Sequence, residues 1–61
     1  MYIEVYYIQN KHPYSRKWQH YPDDEIEKRY QQTIGKMVAT KTDALVCLRH
    51  DNHELIKSKR V

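Results

Sequence analysis

The apolar positions of the chain change their period along its length, and each change marks a new element. From Tyr2 to Gln9 they alternate, with Ile3, Val5 and Tyr7 on one side and Tyr2, Glu4, Tyr6 and Ile8 on the other. A period of two is what a pleated strand imposes. Asn10 to Tyr21 has no apolar period and contains Pro13, so it reads as a long loop. Trp18 and Tyr21 offer an alternative there, a short extra strand over residues 16–21. Pro22-Asp23-Asp24-Glu25 reads as a helix start, because proline suits the first turn and carboxylates there oppose the positive end of the helix dipole.

Ile26, Tyr30, Ile34, Met37 and Val38 then fall on one helical face, and Asp24–Lys28 and Glu25–Arg29 stand outside it as i,i+4 pairs. Gly35 is either tolerated within a helix reaching about Ala39 or caps a shorter one, leaving residues 36–40 as another strand. The longer helix is favoured. Ala44 to His50 and His53 to Val61 flank Asp51-Asn52, two residues that accept the positive φ of a tight hairpin turn. That register sets His50 opposite His53, Arg49 opposite Glu54 and Leu48 opposite Leu55, and the Arg49–Glu54 match supports it. The order is β-α-β-β: an α+β fold, a small three-stranded antiparallel sheet with one helix packed on one face.

Sixty-one residues allow a single domain near the lower limit of independent folding, with no room for two cores or for a deep catalytic pocket. The one cysteine, Cys47, excludes an internal disulfide and points to the cytoplasm. No run approaches the ~18 apolar residues of a membrane span, and Met1 to Gln9 lacks the basic start and long apolar run of a signal peptide. Mean hydropathy is −1.02 and charged residues make up 31%. Six tyrosines, one tryptophan and a single glycine nevertheless argue for a folded chain.

Folding this pattern leaves a surplus. In the hairpin, Leu45, Cys47 and Ile56 share one face while Val46, Leu48 and Leu55 share the other, and the first strand is apolar on both sides as well. One helix with one apolar stripe covers only one of these sets. Either the aromatic loop folds over the remainder through Trp18 or Tyr14, or the second face or a free sheet edge meets another chain, a second copy or a different protein.

The segment 10–21 combines Tyr, Trp, Arg, His, Ser and Asn, the mixture found on binding surfaces. As an aromatic-basic loop it would present Tyr14, Trp18 and Tyr21 as anchors with Arg16 and Lys17 at the rim. The competing reading makes Trp18 a core residue. Net charge is +3, a mild bias towards phosphate or acidic surfaces. A nucleic-acid reading would use Lys11, Arg16, Lys17, Lys57, Lys59 and Arg60, stacking bases on the rings, but no motif of a known RNA module accompanies them.

Chemistry finds little to build on. Cys47-x-x-His50-x-x-His53, with Asp51 nearby, has the residue types of a metal site, yet three-residue steps on a strand send Cys47 and His50 to opposite faces. The acids cluster at the helix start, where the dipole accounts for them, and the lone Gly35 excludes a phosphate-cradling loop. The expectation is a non-enzymatic protein-binding module, an inhibitor or adaptor and in one variant a homodimer, with no metal, cofactor, membrane partner or small-molecule substrate. In size, tyrosine content and absence of motif the chain resembles, in style only, small accessory proteins of phages and mobile elements, viral proteins that often dock on a host protein and block it.

Overall fold

The structure, a computed structural model, describes the backbone of residues 1–9 and 12–61 and the side chains of residues 1–8 and 18–61. Five elements follow one another: β1 (Tyr2–Gln9), β2 (His12–His20), α1 (Asp23–Ala39), β3 (Ala44–Arg49) and β4 (Leu55–Arg60). The strands form a four-stranded sheet in the order β2-β1-β3-β4, with every neighbouring pair antiparallel. The expected three-stranded sheet thus gains a strand. β2 and β3 flank β1 and run parallel to each other, which is why a helical crossover joins them.

Within the segment read as an aromatic-basic loop, His12–His20 is therefore the edge strand β2, longer than the alternative strand at 16–21. Its proline does not break it. The β1–β2 register steps between Tyr7 and Ile8, passing from Tyr7↔Ser15 to Ile8↔Pro13 and skipping Tyr14. A missing N–H is tolerated at such an irregularity on an edge strand.

α1 begins after Pro22, with Asp23, Asp24 and Glu25 in its first turn, and runs through Gly35 to Ala39. Residues 36–39 are thus helical rather than a further strand. The helix ends through backbone bonds from Lys41 N–H to the Val38 carbonyl (3.1 Å) and from Thr42 N–H to the Met37 carbonyl (2.9 Å). These are the two bonds of a Schellman motif. Lys41 takes the left-handed position at φ 53°, where glycine would be the unstrained choice.

One face of the sheet carries the core: Ile3 and Val5 of β1, Ala44, Val46 and Leu48 of β3, and Ile26, Tyr30 and Met37 of α1. Tyr30 reaches across to donate its hydroxyl to the Val46 carbonyl at 3.3 Å. Val38, expected on this face, is instead 59% exposed, having rotated past the contact seam. Ile34 is only partly buried.

The β3–β4 hairpin departs from the expected register. Arg49 pairs with Leu55 rather than Glu54, and beyond a shift at Leu48/Arg49 the pairs are Leu48↔Lys57, Cys47↔Ser58, Val46↔Lys59 and Leu45↔Arg60. The connection is wider than two residues: His50 N–H bonds the Glu54 carbonyl and His53 N–H bonds the His50 carbonyl, both at 2.9 Å, with His53 at φ 75°. Lys57 and Lys59 consequently lie on the helix side, and β4 is exposed along its whole length. Among the described residues no helix is long and apolar enough to cross a membrane.

Candidate functional site

Alternation along β1 sends Tyr2, Glu4 and Tyr6 to the face opposite α1, and no described element packs over them. Antiparallel pairing brings His20 beside Tyr2 and Trp18 beside Glu4 from β2, and Arg49 beside Tyr2, Cys47 beside Glu4 and Leu45 beside Tyr6 from β3. Among the described residues of β1, β2 and β3, the face without a helix is thus a band of rings beside the Glu4 carboxylate, the Cys47 thiol and the Arg49 guanidinium.

At one end the rings gather around Tyr2. Its centroid lies 5.7 Å from Trp18, 5.3 Å from His20 and 5.6 Å from His53, and Trp18 meets His20 nearly perpendicularly at 5.3 Å. Edge-to-face contacts of this kind favour a ring cluster beyond its buried area. The Tyr2 hydroxyl and His53 Nδ1 share a hydrogen bond of 2.6 Å, which draws the hairpin turn over the cluster. Tyr2 is left 5% exposed while Trp18 stays 54% exposed. The buried ring supports the open one.

Next to the rings, Glu4 is only 6% exposed. It accepts the Tyr6 hydroxyl at 2.7 Å and Arg49 Nε at 3.1 Å, while Arg49 also donates to the His53 carbonyl at 2.9 Å. Arg49 so ties the carboxylate of β1 to the hairpin turn. Cys47, beside Glu4, is 2% exposed. Burial pushes its thiol above the ordinary value, with the neighbouring Arg49 acting against that shift. A thiol held protonated is a poor nucleophile. Among the described residues no three His, Cys, Asp or Glu side chains converge as a metal site would need.

The predicted partner-binding residues separate. Trp18 stands on the open face, not in the core. Tyr21 is half-buried against the core on the helix side, with its hydroxyl bonded to Gln19 and its ring 5.3 Å from the Arg29 guanidinium. Arg16 is the register partner of Tyr6 and Lys17 that of Val5; the side chains of Tyr14, Arg16 and Lys17, like all of Lys11, lie outside the described residues.

The basic residues proposed for nucleic acid are spread out. Lys57 is bound to Glu27 at 2.6 Å and lies 5.2 Å from the Tyr30 ring; this bond, helped by Gln31, holds the Glu27 carboxyl below its usual range. Arg60 makes two bonds to Asp43, at 2.9 and 3.2 Å. Lys59 shares the helix side with Lys57, whereas Arg60 pairs with Leu45 on the other.

Tyr2, His20 and His53 were absent from the sequence-derived site. The alternation of β1 separates Tyr2 from Ile3 and Val5 without saying which set the helix covers, and His20 joins Tyr2 only once β2 is recognised as a strand. No family model, no curated protein and no solved structure matches the chain.

Proposed function

We propose that the protein is a small non-enzymatic protein-binding module, an inhibitor or adaptor, which docks through the open face of its sheet. The observation that carries this reading is the pairing of a half-exposed Trp18 with the buried Tyr2 that braces it. A tryptophan held in place before binding loses little rotamer entropy on contact, and such rigid aromatic anchors carry most of the energy in protein interfaces. Arg49 and Glu4 pair beside it, and this pairing lowers the cost of desolvating that part of the patch. The protonated, buried Cys47 and the absence of converging ligands among the described residues favour binding over chemistry.

The nucleic-acid reading has less support, because Lys57 and Arg60 already hold carboxylates and point away from a common stripe. Affinity capture from the source cell tests the proposal. A protein retained by wild type and by the helix variant Val38→Ala, but lost by Trp18→Ala, is the expected outcome. Equal capture by all three would refute it. Salt discriminates the two partner classes: an apolar contact should survive 200 mM salt, whereas six phosphate contacts would weaken by roughly 10³ between 50 and 200 mM. Sedimentation over a concentration series reads the homodimer variant, in which the retained partner is a second copy.

A further inference from the structure

The two edges of the sheet are not alike. β2 carries Pro13 and faces the register step between Tyr7 and Ile8, features that keep an edge from being extended by another strand. β4 has no proline, is exposed along its whole length and pairs with Leu45–Leu48 in unbroken register from Lys57 to Arg60. Ala44 and Val61 exchange both of their backbone hydrogen bonds, at 3.3 and 2.9 Å. Antiparallel alternation then turns the backbone groups of Lys59 and Lys57 towards β3, and the N–H and C=O of Ser58 and Arg60 outwards. Among the described residues no strand pairs with that outer edge. Lys57 and Lys59 hold its non-hydrogen-bonded positions, where the side chains of a neighbouring strand come closest. β4 has three cations and no acid. Lys57 and Arg60 reach Glu27 and Asp43 through exposed pairs, which hold weakly, and no acid among the described residues meets Lys59.

We infer that β4 takes an extended acidic segment of another protein as a fifth strand of the sheet. Backbone bonds to Ser58 and Arg60 supply the pairing, and acids at alternate positions of the incoming strand face Lys57 and Lys59. A second copy of this chain suits the edge poorly. Antiparallel pairing of Ser58 with Ser58 sets Lys57 against Lys59, and pairing of Ser58 with Arg60 sets Lys59 against Lys59, both repulsive. The lysines therefore disfavour self-pairing and select an acidic strand. The inference rests on the edge alone, since Trp18, the anchor of the open face, stands on β2 at the other side of the sheet.

Two short capped peptides, one alternating threonine with glutamate and the other threonine with lysine, test the assignment by titration into the isotopically labelled protein. The glutamate peptide should shift the Ser58 and Arg60 amides saturably and slow their exchange with solvent about fivefold, leaving exchange at Lys57 and Lys59 unchanged. The lysine peptide should bind about tenfold more weakly. Ser58→Pro, which removes an outward N–H without touching a bond to β3, should abolish binding. Lys59→Glu should reverse the preference between the peptides, while Lys28→Glu, the same charge change on the exposed face of α1, should preserve it. Circular dichroism reports whether each variant is folded, and Lys59→Glu, which leaves the backbone intact, carries the comparison if Ser58→Pro is not. Equal binding of the two peptides, an unsaturable response, slowing absent from Ser58 and Arg60, or an equal effect of Lys28→Glu would each overturn the inference. Protection of the same two amides that grows with protein concentration alone would also overturn it, by assigning the edge to a second copy.

Discussion

The two faces of the sheet solve the same problem of burial by different means. On the helix side, Ile3, Val5, Val46 and Leu48 are buried because a second layer lies on them. On the open side, Tyr2, Glu4 and Cys47 are almost as well buried, yet the described elements place no second layer there. Among the described residues, Tyr2 and Glu4 are covered by their neighbours in the sheet and its hairpin turn: the Trp18, His20 and His53 rings around Tyr2, and the Tyr6 hydroxyl and Arg49 guanidinium on Glu4. The first face is stabilised by area removed from water, about 25 cal/mol per Å². The second depends on directional contacts, each worth about 1 kcal/mol, and is correspondingly easier to remodel.

That contrast predicts a graded series. Leu48→Ala strikes the covered face and should cost about 3 kcal/mol, a large share of the roughly 3–9 kcal/mol available to a chain this long; a denaturant midpoint that hardly moves would mean the helix layer is not the main source of stability. Arg49→Ala strikes the open face by taking a charged partner from a buried carboxylate, at about 2 kcal/mol. Chemical denaturation ranks the two directly, and the reverse order would break the comparison.

Trp18→Ala should cost under about 1 kcal/mol in the same assay, because more than half of its surface is already in water. It should nonetheless weaken partner binding at least 30-fold, the equivalent of about 2 kcal/mol for an interface anchor. A large stability loss with unchanged capture would make Trp18 structural. Gly35→Ala lies away from both faces, with open space where the added methyl would go, and should stabilise by about 0.5–1 kcal/mol, read as a higher midpoint with an unaltered denaturant slope.

The smallest effect concerns the hairpin turn that covers the open face. The amino group of Met1, 2.8 Å from Asp51, holds the Asp51 carboxyl below its usual range, with His20 adding to the effect. A carboxyl depressed in the folded state contributes stability above its unfolded value, near 3.9, and loses that contribution as pH falls through the lower folded one. Melting curves of wild type and Asp51→Asn should therefore differ at neutral pH and converge in strong acid. A gap that persists unchanged at the acid end would show that Asp51 acts by something other than its charge.

What the sequence makes legible follows the same division. The period of two in β1, the acidic start and apolar stripe of α1, and the presence of the β3–β4 hairpin are all set by local pattern, and the structure has them. β2 was legible only as the alternative short strand at 16–21, because an edge strand carrying Pro13 and few aliphatic residues shows no apolar alternation; its full length and its pairing with β1 are long-range choices. The hairpin register failed for a related reason. Arg49 opposite Glu54 is a good local match, but the guanidinium instead goes to Glu4, 45 residues away, and to the His53 carbonyl. An acid alternating with apolar residues in β1 reads as solvent-facing, and nothing local announces that it will be buried. Within the candidate site Trp18 was visible by residue type alone, whereas its neighbours Tyr2, His20 and His53 converge only through tertiary pairing.

The most direct test of the open face as a docking surface is site-specific photocrosslinking in the source cell. A benzoylphenylalanine at position 18 probes that face, and one at position 38, equally exposed on α1, serves as the comparison. Docking through the open face predicts a discrete protein adduct from position 18 and none from position 38. Adducts of equal yield from both positions, or from position 38 alone, would contradict it.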